Sequence, residues 1–285
     1  MKLLIGFGIV FASIIVGYLA SHGQLMAIVQ PYELLIIGGS AVGAFVVANP
    51  GSVIKKTLAS LPLFLKGPKY DKAAYMDVLG LMFDLFSKAR KEGMMALEKD
   101  IDDVKQSPVF QAYPKLLHDH HVTDFIADYL RLMVSGNMNP IELEALMDVE
   151  LETHHQEGER VASALTNMSD GLPGFGIVAA VLGVVITMSS LGGPVTEIGA
   201  HVAAALVGTF LGILLAYGFV GPMGTYLKHL VDEEAKFFQC IKVCFLATLN
   251  GYSPQIAVEF GRKVLFSSER PGFLELEDHV KKRKA

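Results

Sequence analysis

Tryptophan is absent from the 285 residues, cysteine occurs twice, and only 19% of the chain is charged against 52% hydrophobic. Two cysteines cannot staple a disulfide-rich fold. Acidic and basic residues stand at 29 and 24, so the basic excess of a nucleic-acid binder is missing. There is no nucleophile elbow, P-loop or dinucleotide fingerprint, and nothing supports an enzyme or calls for a cofactor. No strand-type alternation and no repeat at a solenoid period survives a pass along the chain.

Charge is missing from particular places. Uncharged windows run over 3–32, 34–54, 171–196 and 198–227, and the charges that flank and separate them are Lys2, Glu33 and Glu197. The remaining segments carry charge at roughly the density of a soluble surface. A bilayer core ~30 Å thick is crossed by about 20 apolar residues in helical form. The chain therefore reads as an all-α integral membrane protein with four transmembrane helices, a large helical cytoplasmic loop and a helical cytoplasmic tail. The expected layout places helices 1 and 2 with a short periplasmic loop in 1–54, a cytoplasmic helical domain in 55–170, helices 3 and 4 in 171–227, and the tail in 228–285. Leu3–Ala20 is longer than a signal-peptide core and is followed by a poor cleavage site, so the first helix is expected to be retained.

Lysine and arginine set the orientation, because short positively charged loops resist translocation. Beyond Lys2, every basic residue falls between Lys55 and Arg160 or between Lys228 and Lys284. Both termini and the large loop are expected in the cytoplasm of a bacterial cell, with the turns at 21–33 and 191–199 in the periplasm and the chain multi-pass in the inner membrane.

Within the loop, Met76, Leu79, Phe83 and Phe86 keep a helical period that stops at Gly93. A second helix is expected over Thr123–Ser135, and a third opens at Asn139-Pro140-Ile141-Glu142 with the spacing of a capping box. A long helix from Thr225 to Leu249 and another starting at Ser253-Pro254 are expected in the tail.

The membrane windows hold no acid, histidine or lysine at mid-depth, where such a group is costly and kept for function. Glu33, Glu197 and His201 lie near the non-cytoplasmic ends, where they are either solvated at the interface or line an ion entrance. Small residues recur instead. Gly39 with Gly43 and Gly208 with Gly212 are small-xxx-small pairs that favour close helix packing, and Ala179/Gly183 and Ser13/Gly17 extend the theme. Thr209 sits at depth, where a threonine usually bonds its own i−4 carbonyl. If the protein moves protons, a partner helix must therefore supply the carboxylate. Pro173 and Pro222 lie near the cytoplasmic ends of the third and fourth helices, either as boundary punctuation or as hinges.

In the cytosolic part, His118, His120, His121, His154 and His155 lack the spacing of a metal site, and none is expected. Cys240 and Cys244 share a helical face as buried thiols. Lys88, Arg90, Lys91 and Glu92, then Glu98, Lys99, Asp100, Asp102 and Asp103, make a basic cluster followed by a mostly acidic one. That cluster is a solvated face or an electrostatic docking surface.

The stretch Ala205-Leu-Val-Gly-Thr-Phe-Leu-Gly212, followed by Pro222, resembles the signature of the MotA stator family of the bacterial flagellar motor. Asp170 through Ala180, Glu144–Asp148, Asn250–Pro254, Val258–Lys263 and Ser268–Pro271 are similar to further family segments, so the resemblance spans nearly the whole chain. It implies a homo-oligomeric ring, a pentamer around a MotB-like dimer whose single membrane helices supply the aspartate, with proton flow driving torque on the rotor protein FliG. By position, it makes Arg90 and Glu98 rotor-facing and Glu150 a charged loop residue of the same surface. Pro173 and Pro222 become the conformational prolines, and Ala180 and Thr209 the positions around the partner's aspartate. Sodium-type relatives carry hydroxyls at both of the last two positions, so Ala180 points to protons. A related reading, an ExbB/TolQ-like energiser of envelope transport, fits less well, since those chains have three membrane helices. A membrane scaffold without ion flux is the third.

Overall fold

The structure, a computed structural model, describes residues 2–136 and 139–282; the last three residues of the expected tail lie outside it. Among the described residues the secondary structure is helical, without strands. The elements run α1 (Lys2–Ala20), α2 (Leu25–Ile28), α3 (Pro31–Ala48), α4 (Gly51–Ser60), α5 (Leu63–Lys66) and α6 (Lys72–Glu92). A 3-10 turn (Met94–Leu97) leads into α7 (Glu98–Asp102), α8 (Pro108–Gln111), α9 (Pro114–Leu117) and α10 (His120–Ser135). Then come α11 (Pro140–Ser189), α12 (Val195–Ile213), a π-helical segment (Leu214–Val220), α13 (Gly221–Leu249), α14 (Pro254–Val264) and α15 (Phe273–Lys282).

Local chemistry sets these boundaries. Asp71 caps α6 by accepting from the Ala74 N–H at 2.8 Å, and Gly93, at φ +90°, ends it. Gly136 closes α10 in the left-handed region. At the start of α11 the Glu142 N–H donates to Asn139 Oδ1 at 2.9 Å, and the Asn139 N–H donates back to Glu142 Oε2 at 3.1 Å. This is a reciprocal capping box, with Pro140 at a position that has no amide to lose.

The chain divides into two compact units, Met1–Gly67 with Glu157–Leu230, and Pro68–Gln156 with Val231–Ala285. Four helical stretches are long and apolar enough to cross a membrane, Leu3–Ala20, Leu25–Ala48, Pro140–Ser189 and Val195–Leu249, the first two within the first unit and the last two belonging partly to each. Their surfaces expose Ile9, Phe11, Val16, Leu35, Val47, Val181 and Val185, a display that water would punish and lipid or a neighbouring helix accepts. A small buried cluster of Ile37, Ala41, Leu172, Ala179 and Ala216 knits α3, α11 and the π segment together.

The second unit has a conventional core. Val78, Leu79, Leu81, Met82, Leu85 and Phe86 of α6 are fully or almost fully buried. Tyr70 stacks on Phe237 at 3.8 Å between ring centroids, and Phe86 meets Phe245 edge-on at 5.7 Å. Lys242 is buried there only because Asp148 and Glu144 face its ammonium at 2.5 and 3.7 Å.

Two features go beyond the expectations. The third apolar window is the second half of a single 50-residue helix, with Pro173 inside it rather than at a boundary. A proline in a long helix removes one backbone bond, and the rest of the helix carries the break. The fourth window does not simply run on as an α-helix. Its helix widens into seven π-helical residues before resuming at Gly221.

Candidate functional site

The membrane part of the site is built on α11 and α12, which approach each other more closely than side chains would allow. A Cβ on Gly212 would stand 2.8 Å from both Gly176 Cα and the Leu172 carbonyl oxygen. One on Gly208 would meet Ala179 Cβ at 3.2 Å and Ala180 N at 3.3 Å, and one on Gly183 would meet Ala205 Cβ at 2.8 Å. Each step up one helix matches an equal step down the other, so the pair is antiparallel and in register. Small residues let the backbones touch, and packing supplies the attraction that the hydrophobic effect cannot supply in lipid. Ala180 and Thr209 consequently stand at nearly one level, flanking the Ala179–Gly208 contact.

The two membrane threonines differ. Thr187, buried, donates to the Gly183 carbonyl at 2.8 Å, as expected of a hydroxyl in lipid. Thr209 is half-buried and makes no side-chain hydrogen bond with the described residues, contrary to the i−4 bond expected for it. Its hydroxyl stays available. Gly39 and Gly43, in contrast, are exposed on α3, and a Cβ on either meets nothing within 4 Å in this chain.

Around Pro222 the sequence reading missed a residue. The π segment ends where the Gly221 N–H reaches back to the Ala216 carbonyl, and that same carbonyl accepts from Ser169 Oγ at 2.9 Å. Ser169 is buried, and a Cβ on Gly221 would stand 3.0 Å from its hydroxyl. One turn on, a Cβ on Gly224 would stand 2.7 Å from Thr166 Oγ1. An open groove beside Pro222 is lined by Thr166, Asp170, Tyr217, Thr225 and His229. Toward the other end, His201 Nδ1 lies 3.3 Å from Ser190 Oγ. Glu197 is in the first turn of α12, and Glu33 Oε2, in the first turn of α3, is enclosed without a hydrogen-bond partner among the described residues.

The charged part lies in the second unit. Arg90 and Glu98 flank the turn at Gly93, both exposed and neither in an ion pair with the described residues. Glu150 does not share that freedom. Its Oε2 accepts from Tyr129 Oη at 2.6 Å, a short charge-assisted bond. Burial first, then this hydrogen bond, pushes the Tyr129 phenol well above its ordinary range. Burial does the same to Tyr70, assisted by Asp119 and Glu234.

The histidines disperse. His118 Nδ1 sits 2.5 Å from the Pro114 carbonyl, while the His121 and His154 rings lie edge-on at 6.1 Å. Among the described residues no group of three or more side chains suited to holding a metal ion comes together. Cys240 and Cys244 are both buried, and hydrogen bonding between them followed by burial holds the Cys240 thiol above its usual range.

Fold and site together define a multi-pass α-helical membrane protein built on a glycine-lined antiparallel helix pair, with a separately packed charged unit. A motility protein A N-terminal model matches residues 4–93, and the MotA/TolQ/ExbB proton channel family matches residues 118–239. The chain is 52% identical to motility protein A of Salmonella typhimurium over 281 residues, covering 99% of this chain and 95% of that one. The flagellar MotAB stator complex from Bacillus subtilis matches with a TM-score of 0.74 at 25% identity over 98% of both chains. The C. jejuni MotAB structure shares the fold, with a TM-score of 0.77 at 19% identity over 93% of this chain and 96% of that one. The chain belongs to the motility protein A family, the flagellar stator branch of the MotA/TolQ/ExbB proton channels.

Proposed function

We propose that this chain couples proton flow to torque as the ring-forming subunit of a stator. Several copies, five in our reading, surround a dimer of a MotB-like partner whose membrane aspartate carries the proton. The ring sits in the bacterial inner membrane with both termini in the cytoplasm, and it acts on the rotor protein FliG. The observation that carries this reading is the α11/α12 pair. It offers an unbonded Thr209 hydroxyl level with Ala180 and no ionisable group at depth, a wall suited to a carboxylate brought by another chain. In this reading Thr209 and Ala180 border the ion path, and Pro173 and Pro222 let α11 and α13 change shape. Arg90 and Glu98 meet the rotor, with Glu150 on the same unit. Gly39 and Gly43 pack against a neighbouring copy.

A sodium ion stripped of water needs several oxygen ligands, whereas a proton needs the carboxylate and a water chain. With alanine at 180, the site is one oxygen short of a cage built from hydroxyls at both positions. Full-length similarity to motility proteins and four membrane stretches favour this reading over an ExbB/TolQ-like energiser. The test is swimming speed of a stator-deleted host carrying this gene and its MotB-like partner, first with sodium replaced by potassium and then with a protonophore. Speed should survive the first and collapse with the second. Loss of swimming on sodium removal alone would overturn the assignment of the ion.

A further inference from the structure

Lys88, Asp100 and Ser107 form a polar cluster in the second unit that the ion path and the rotor-facing charges leave unused. Asp100 is 2% exposed, and both of its oxygens are engaged. Oδ2 accepts from Lys88 Nζ at 2.6 Å and Oδ1 from Ser107 Oγ at 2.7 Å. Ser107 in turn caps α8, its oxygen accepting from the Phe110 N–H at 3.4 Å. Arg131 donates to the Ile101 carbonyl at 2.8 Å, tying the next residue of α7 to α10. Three elements on both sides of the Gly93 turn are thus fastened at one carboxylate.

A well-packed apolar pair would stabilise this spot as well as an ion pair, because desolvation consumes much of the attraction. What an apolar pair lacks is direction. A carboxylate with one defined donor on each oxygen fixes orientation as well as distance. That direction matters because of what stands beside it. Arg90 lies two residues beyond Lys88 and Glu98 two residues before Asp100, both exposed and without an ion-pair partner among the described residues. Only the backbone on either side of the turn sets their spacing. We propose that Lys88, Asp100 and Ser107 are positioning residues that hold Arg90 and Glu98 at the separation the rotor reads. They do not touch the rotor; Asp100 is enclosed and the Lys88 ammonium is committed to it.

This inference rests on the reading of Arg90 and Glu98 as rotor-facing, so both are tested together in the assembled complex. Lys88→Met with Asp100→Leu fills the space without direction. The double variant should reach the membrane and conduct protons like the parent, yet lose most of its stall torque per stator. Spin labels at positions 90 and 98 should show a broadened distance distribution in the same background. Lys88→Arg, which keeps charge and donors, should retain most of the torque. Parental torque and a narrow label distance in the double variant would overturn the inference, because stability alone would then be what the cluster provides. Parental torque in Arg90→Glu and Glu98→Lys would instead remove the rotor reading itself, whatever the cluster variants do.

Discussion

The Ser169 hydroxyl donates to the Ala216 carbonyl at 2.9 Å, joining α11 to the π-helical segment that precedes Pro222. Ala216 already accepts from the Gly221 N–H, so one carbonyl carries two bonds where the helix is widest. The bond fastens the site of irregular geometry to the neighbouring helix. Ser169→Ala should cost about 0.6 kcal/mol, the usual worth of an interhelical hydrogen bond in a membrane. Thermal unfolding of the detergent-solubilised complex would show it, and torque should change less than stability does. A Ser169→Ala protein as stable as the parent would mean that the π segment holds its own shape.

The α11/α12 contact sets the limit on added volume. Gly212→Ala drives a methyl onto backbone at 2.8 Å, and backbone cannot rotate away. Overpacking of this kind costs about 1–3 kcal/mol and should show as a fall in assembled complex in membranes. Gly43→Ala is the control, since a Cβ there meets nothing within 4 Å in this chain. If Gly43→Ala nevertheless weakens assembly, the methyl has met another chain, and the proposed packing role of α3 gains support. If it is silent, Gly43 has no such role.

Glu150 is held by Tyr129, so its part in motility should follow the hydroxyl rather than the charge. Tyr129→Phe should cost about 1.5–3 kcal/mol, the range for a hydrogen bond to a charged group, and Glu150→Gln, which still accepts, should swim at close to parental speed. Equal loss of motility in Glu150→Gln and Glu150→Lys, with Tyr129→Phe unaffected, would return Glu150 to the rotor-facing set.

Alkali should open the second unit from within. Burial disfavours the charged phenolates of Tyr70, Tyr75 and Tyr129, so their pKa values in the folded chain lie above the ordinary value of 10.0. Groups raised in this way contribute stability that is complete below the unfolded pKa and is lost as pH climbs through the folded one. Loss of helical circular dichroism should begin above about pH 10 and coincide with phenolate absorbance from these three tyrosines. Phenolate formation by all three near pH 10, with the helices intact, would contradict the burial.

The helices were legible because their signals are local. Apolar period, the Asn139–Glu142 capping box and the stops at Gly93 and Gly136 act within a few residues, so sequence alone locates them. The expected orientation rests on lysine and arginine, a signal that is local in the same way. What escaped depended on separation along the chain. Ser169 and Ala216 are 47 positions apart, and nothing in either neighbourhood announces the other. Asp100 read as one member of an acidic run, because a run does not say which carboxylate turns inward. Thr209 was expected to bond its own helix and does not, a choice made by rotamer and neighbours rather than by residue type. The π-helical turn before Pro222 had no signal beyond the proline itself.

Among the described residues Arg90 and Glu98 take no part in the ion pairs of the second unit, while Lys88 and Asp100, two positions away from each, are committed inward. The charges that hold the fold are thereby separate from the charges left facing outward on one hairpin. If the outer charges meet the rotor as proposed, they can be exchanged or reversed without breaking the inner pair, so a change of partner surface need not disturb the architecture that carries it.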